Sequence, residues 1–193
     1  MRVHGGIKVR RRVYESEIAQ ANARDMLMED FGDLCGYCGK NRRFFREHFH
    51  VDHFVPQSVD GERVRDYSNF VWACPKCNLV KSNQWPTGDR AVSHRGGVGF
   101  VDPASEEFDR HLFRDEAGYI QGRTALGEQM CRLLNFHLRR TELFWKVEQL
   151  CRQMEQLRQK RQKQPLEREE LEFYMDLDTM LDRILDELLD GRE

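Results

Sequence analysis

The sequence predicts an α+β fold, and three observations carry that expectation. Two Cys-x-x-Cys pairs bracket a short run of strand-like alternation. A Gly- and Pro-rich stretch follows, and from Thr124 onward apolar residues recur at intervals of three and four. Short strands held by cysteines, then long helices, is the pattern of an α+β chain.

The elements follow in order. Residues 1–14 hold Gly5-Gly6 and the cluster Arg10-Arg11-Arg12, which read as a loosely ordered basic arm. The stretch ESEIAQANARDMLMEDFG places Ile18, Ala21, Met26 and Phe31 at loosely helical spacing, and Gly32 ends it. Residues 1–32 are therefore expected as an arm plus an N-terminal helix. Residues 33–123 are expected as one core with its following loop and hairpin: HRGGVG reads as a loop and GYIQG as a short strand. Residues 124–193 are expected as a helical extension. Thr124 is placed to cap its first helix. The apolar series Leu126, Met130, Leu133, Leu134, His137, Phe144, Val147, Cys151 and Met154 continues that helix, with His137 on its buried side. Pro165 suits the first turn of a second helix. There Tyr174, Leu177, Leu181, Ile184 and Leu188 form a regular stripe.

Charge separates the two halves. Residues 1–100 carry 16 Lys and Arg against 12 Asp and Glu; residues 101–193 carry 15 against 21. A basic front half suits nucleic acid, and an acidic tail does not. The acidic hairpin is expected to be an assembly element, through a homodimer or a protein partner. No apolar run spans a bilayer and no apolar core follows the N-terminal arginines, so a cytoplasmic protein is expected.

The six cysteines are not spaced as a disulfide framework. Cys35 and Cys38 form C-G-Y-C, and Cys74 and Cys77 form C-P-K-C. Each such turn presents two thiolates to one ion, and two turns complete a tetrahedral structural Zn²⁺ site. The competing readings are a redox pair or chance. Cys131 and Cys151 lie in helical patterns as small apolar side chains.

Between the pairs runs HFHVDHFVPQS. A strand ends at Val51-Asp52-His53, and Pro56 turns the chain out of it. Past the second pair, Asn78 should fall in the first turn of a helix, one residue from Cys77. An Asp carboxylate and an Asn carboxamide are hard oxygen donors, suited to Mg²⁺ or Mn²⁺. His53 beside them is free to take a proton. His48 and His50 read as strand-surface residues, and His94 as a loop residue near a possible nucleic-acid path. KNRRFFREH interleaves Arg42, Arg43 and Arg46 with Phe44 and Phe45, a composition able to grip a backbone and stack bases.

This arrangement resembles the HNH endonuclease superfamily over roughly residues 33–85, in D-H-x-x-P-x-S (Asp52 to Ser58), N-F (Asn69-Phe70) and C-x-x-C-N-x-x-K-S (Cys74 to Ser82). The resemblance implies a ββα-metal core. In it His53 is the general base, Asp52 and Asn78 hold the catalytic Mg²⁺ or Mn²⁺, and Asn69 ties the connecting loop and orients the base. Ser82 stands where some relatives carry a further His ligand, which favours a water-rich magnesium site. The implied reaction is hydrolysis of phosphodiester bonds in DNA, with RNA as the other target. Arg42, Arg43, Arg46, Lys76 and Lys81 are the candidate phosphate contacts. The segment Gly118 to Trp145, with Leu134-Asn135 and Arg139-Arg140, is similar to the region after the nuclease core in bacterial phage-defence proteins of the retron and Septu-like type. The competing class is a zinc-held nucleic-acid reader without chemistry. Such a reader needs the cysteines and arginines but not Asp52, His53, Asn69 and Asn78 together.

Overall fold

The computed structural model describes residues 1–190. Its elements are α1 (Gln20–Asp30), α2 (Arg42–Phe45), β1 (His50–His53), β2 (Phe70–Ala73), α3 (Pro75–Lys81), β3 (His94–Arg95), β4 (Val98–Gly99), α4 (Phe108–His111), β5 (Leu112–Arg114), β6 (Ile120–Gly122), α5 (Ala125–Leu133), α6 (Thr141–Lys163) and α7 (Arg168–Asp190). The strands pair as three antiparallel ribbons, β1 with β2, β3 with β4 and β5 with β6. The mixture is α+β, as expected. The chain divides into two compact units, residues 1–141 and 142–193.

In the first unit, β1 and β2 pair with His50 opposite Ala73 and His53 opposite Phe70. All four residues of β2 are buried, so this strand is the floor of the core. Phe49 lies beside Trp72, and the Phe31, Tyr37, Phe70 and Phe100 side chains fill the space around the ribbon. Cys74 caps α3, its sulfur accepting from the Cys77 amide, and Pro75 opens the helix where its missing N–H costs nothing.

The first fourteen residues are not a loose arm. Val3 and Val9 are buried in the core, and the Met1 amino group donates to the Arg114 carbonyl at 2.8 Å. Arg11 pairs with Asp102 and donates to the Phe70 carbonyl, while Arg12 pairs with Glu29 and Asp30. These arginines are engaged with the protein because their partners come from distant parts of the chain, which local composition does not reveal. His4 is buried too. Its Nε2–H donates to the Gly36 carbonyl at 2.7 Å, and its ring stacks on Phe108.

Burial lowers the pKa of His4, against the opposing pull of its bond to Gly36. The folded state therefore takes up this proton less readily than the unfolded chain. Stability is fully present above the unfolded value, about 6.5, and falls as pH drops below it. Thermal unfolding between about pH 7 and about pH 5.5 should show a steeper loss for the wild type than for His4→Gln. Parallel slopes would show that His4 does not titrate in that window.

HRGGVG is a tight hairpin rather than an open loop. Gly96 and Gly97 have φ of 58° and 87°, the two positive values that a two-residue turn with right-handed strand twist requires. The following helix α5 is capped by Thr124, whose hydroxyl accepts from the Gly127 amide at 3.1 Å. It lies so close to the end of α4 and to β6 that a Cβ on Gly127 would sit 1.9 Å from the His111 carbonyl oxygen and 3.1 Å from the Gly122 Cα. This packing ties α5 to the first unit, so the boundary falls at residue 141 and not at 124.

The helix expected to run on from Thr124 stops at Leu133. Asn135 adopts a left-handed conformation, φ 53°, and a short 3-10 turn, Phe136–Leu138, follows. Asn tolerates that backbone better than most residues. His137 is consequently exposed, not a core histidine.

The second unit contains α6 from Glu142 onward and α7. Arg158 donates to the Tyr174 hydroxyl at 2.9 Å, and Lys160 pairs with Glu170, joining the two helices. Pro165 lies in the connection before α7 rather than in its first turn. Of the expected stripe, Leu177 is buried and Tyr174, Leu181, Ile184 and Leu188 are half-buried. Leu171, Phe173, Met175, Met180, Leu185 and Leu189 remain exposed. No helix among the described residues is long and apolar enough to cross a membrane.

Candidate metal centre and active site

Cys35, Cys38, Cys74 and Cys77 are all buried, and their sulfurs lie within 4.8 Å of one another. The first pair sits in the turn after α1, fixed to β2 by the Gly36 amide, which donates to the Trp72 carbonyl at 2.8 Å. The second pair sits at the β2–α3 junction. Burial pushes the Cys35 and Cys77 thiols well up, while hydrogen bonds from Cys35, Cys74 and Cys77 hold Cys38 well down. Sulfurs so placed share charge that a divalent cation would neutralise. The donor set fits a closed, four-thiolate zinc site.

The end of β1 carries the ionisable pair. Asp52 is buried; its Oδ2 accepts from the Tyr37 hydroxyl at 2.6 Å and lies 3.3 Å from Lys81 Nζ. Tyr37 comes from inside the first cysteine turn, so the cluster positions a partner of Asp52. Lys81 is fully buried, and its ammonium donates to the His53 carbonyl at 2.8 Å. It is not a surface phosphate contact: its stem crosses the core from the last turn of α3 to reach β1. Burial raises the Asp52 pKa, opposed by Lys81 and Tyr37, and lowers that of Lys81, opposed by Asp52. Desolvation disfavours each charge alone, and the pairing is what sustains both.

His53 is buried edge-on against Phe70. Its Nε2 lies 3.0 Å from the Val64 carbonyl. A carbonyl can only accept, so Nε2 carries the proton and Nδ1 holds the lone pair. Nδ1 accepts from the amides of Gln20, at 3.1 Å, and Gln57, at 3.0 Å. Gln20 also donates to the Val51 carbonyl, whereas Gln57 is exposed.

Asn69 is fully buried at the foot of β2. Its side chain accepts from the Val55 amide at 2.8 Å and donates to the Val55 carbonyl at 3.0 Å and the Arg63 carbonyl at 3.4 Å. It pins both ends of the connection between β1 and β2, including the stretch that delivers Val64 to His53. Asn78 is half-buried, one residue past Cys77. It lies three residues before Lys81 on α3, whose ammonium is the group of this helix that reaches Asp52.

The predicted nucleic-acid contacts fare differently. Arg42 and Arg43 flank Asp33 and pair with it, and Asn41 caps their short helix by accepting from the Arg43 amide. Arg43 remains largely exposed despite that pair. Arg46 and Lys76 are exposed, and so are His48 and His50. His94 contacts Ser93 and Glu107 within the first unit.

Sequence reasoning missed Tyr37, Gln20, Gln57 and the Val64 carbonyl. Tyr37 and Gln57 lie within the motifs themselves, between the first two cysteines and just after Pro56, which was the available signal. Gln20 and Val64 are reached only through tertiary packing.

A four-cysteine cluster that holds an antiparallel ribbon against a short helix, with Asp-His at the ribbon's end, is a ββα-type metal module. Residues 35–84 match the family model of the HNH endonucleases. This segment is accordingly an HNH-type module in its four-cysteine form, and the match supports a function of the nuclease type. No curated protein and no solved structure matches the chain.

Proposed function

We propose that the chain is a metal-dependent endonuclease that hydrolyses phosphodiester bonds in DNA. The observation that carries this reading is the state of His53. Its Nε2 lies 3.0 Å from the Val64 carbonyl, which can only accept, so the proton belongs on Nε2 and Nδ1 holds the lone pair. Gln57 is exposed, so its amide can leave Nδ1, and a water takes its place once the Gln20 amide turns wholly to its other acceptor, the Val51 carbonyl. His53 then takes a proton from that water as it attacks phosphorus. Asn69 keeps the loop, and through it the imidazole, in place. Asp52 and Asn78 offer oxygen donors for Mg²⁺ or Mn²⁺, which when bound supplies positive charge to the phosphate and the leaving oxygen. Because Lys81 already balances the Asp52 charge, the two residues alone are a weak cation site. The negative charge of a substrate phosphate strengthens it.

One observation favours the alternative, a zinc-held nucleic-acid reader without chemistry: Asp52 and His53 are both already hydrogen-bonded by side chains of the protein. One assay separates the two. Purified protein is incubated with supercoiled DNA, linear DNA and RNA, with and without Mg²⁺ or Mn²⁺. Metal-dependent cutting of DNA is expected. Binding without cutting under every condition would establish the reader instead.

The C-terminal hairpin serves, in the same proposal, as an assembly element with a second copy or a protein partner. Its exposed apolar residues suit contact with protein, and its acidic face, Asp176, Asp178, Asp182 and Asp186 among others, disfavours phosphate. Truncation after Lys163 should lower the oligomer mass seen by light scattering and leave DNA affinity equal or higher. Unchanged oligomeric state with clearly weaker DNA binding would refute it.

A further inference from the structure

The four cysteines account for the ligands of the metal centre but not for the group that lies against them. Arg139 sits just past the Phe136–Leu138 turn, where the left-handed Asn135 has redirected the chain. Its Nη1 is 3.1 Å from the Cys77 sulfur, and its Nη2 is 3.8 Å from Cys74 and 3.9 Å from Cys38. The guanidinium therefore meets three of the four sulfurs. It is held there by the Leu134 carbonyl, which accepts from Nη1 at 3.4 Å, and by the Phe136 ring beneath it.

The electrostatics explain the placement. A divalent cation in four thiolates leaves two net negative charges in a buried site, and an unbalanced buried charge is costly. A guanidinium offers one compensating charge and a planar fork of N–H donors that reaches several sulfurs at once. Each N–H···S bond draws electron density from a sulfur, so that sulfur is a poorer target for protons and electrophiles.

We propose that Arg139 is a positioning residue of the metal centre: its guanidinium hydrogen-bonds the sulfurs of Cys38, Cys74 and Cys77, slows metal release and damps thiolate reactivity. The role reaches from outside the HNH-matching segment, since that segment ends at residue 84. It anchors residues 134–139 to the metal centre. The inference does not depend on nuclease activity, because its readouts are the metal and the sulfurs.

The test compares the full-length, zinc-loaded wild type with Arg139→Gln and Arg139→Lys. An excess of chromogenic chelator records zinc release, and iodoacetamide records alkylation of the sulfurs. Partners outside the ligand shell typically change metal affinity by about 10–100-fold. Arg139→Gln should bind one zinc with an unchanged far-UV spectrum, yet release it about 10–100-fold faster and alkylate faster. Arg139→Lys keeps the charge but not the fork and should fall between. Equal rates in all three, or a lysine variant no better than the glutamine one, overturns the assignment. Should Arg139→Gln fail to fold, Arg139→Lys against wild type decides: faster release supports the role, and equal release overturns it.

Discussion

Replacing His53 by alanine is expected to lower DNA cleavage by about 10²–10⁴-fold, the contribution of a positioned general base, while zinc content and DNA affinity stay near wild type. The expectation rests on the two sides of the imidazole. Nε2 is committed to the Val64 carbonyl, and only Nδ1 can accept a proton. Removing the ring takes away the base without touching the four cysteines or the exposed arginines. It also leaves the Val64 carbonyl and the Gln20 amide without this partner, so some loss of stability accompanies the loss of rate. His53→Gln restores a donor for Val64 but no base, and should recover stability without recovering rate. That split separates a chemical role from a structural one. Cleavage by the alanine variant at the wild-type rate would remove His53 from the mechanism.

Much of this site is legible in the sequence, because its parts are local. Two Cys-x-x-Cys turns point to a shared ion by their spacing, and the clustered sulfurs fit it; Pro56 marks the end of the strand that carries Asp52 and His53. Thr124 announces its helix in the same way. What stays hidden is set by long-range packing. Nothing near Lys81 distinguishes it from a solvated lysine; only the approach of β1 shows that it is buried against Asp52. Arg11 and Arg12 look like a free basic arm until Asp102, Glu29 and Asp30 are brought to them. The apolar series through His137 reads as one helix because periodicity is blind to a single left-handed Asn. The same blindness hides Arg139, which reads in the sequence only as half of an Arg139-Arg140 pair. Its meaning appears when the sulfurs lie beside it.

Zinc removal should have the largest effect on the fold. The purified protein is expected to hold one zinc per chain, and Cys74→Ser should abolish binding and unfold the first unit, not merely weaken it. Structural zinc contributes roughly 10–16 kcal/mol in isolated zinc-finger peptides, while an ordinary domain has a total stability of about 5–15 kcal/mol. A loss of that order leaves little to keep the unit folded. The geometry also shows why the damage would spread. The first cysteine turn is bonded to β2 through Gly36 and to the N-terminal segment through His4, and the Cys38 carbonyl accepts from the buried Arg114 on β5. The second turn caps α3, which carries Asn78 and sends Lys81 to Asp52 and the His53 carbonyl. Releasing the metal therefore loosens the N-terminal segment, the β1–β2 ribbon and the β5–β6 ribbon together. Chelation followed by circular dichroism and thermal unfolding tests this. The near-UV signal of the buried Tyr37 and Trp72 should disappear along with the cooperative transition. A chelated, zinc-free protein that keeps both would show that the hydrophobic core alone sustains this fold.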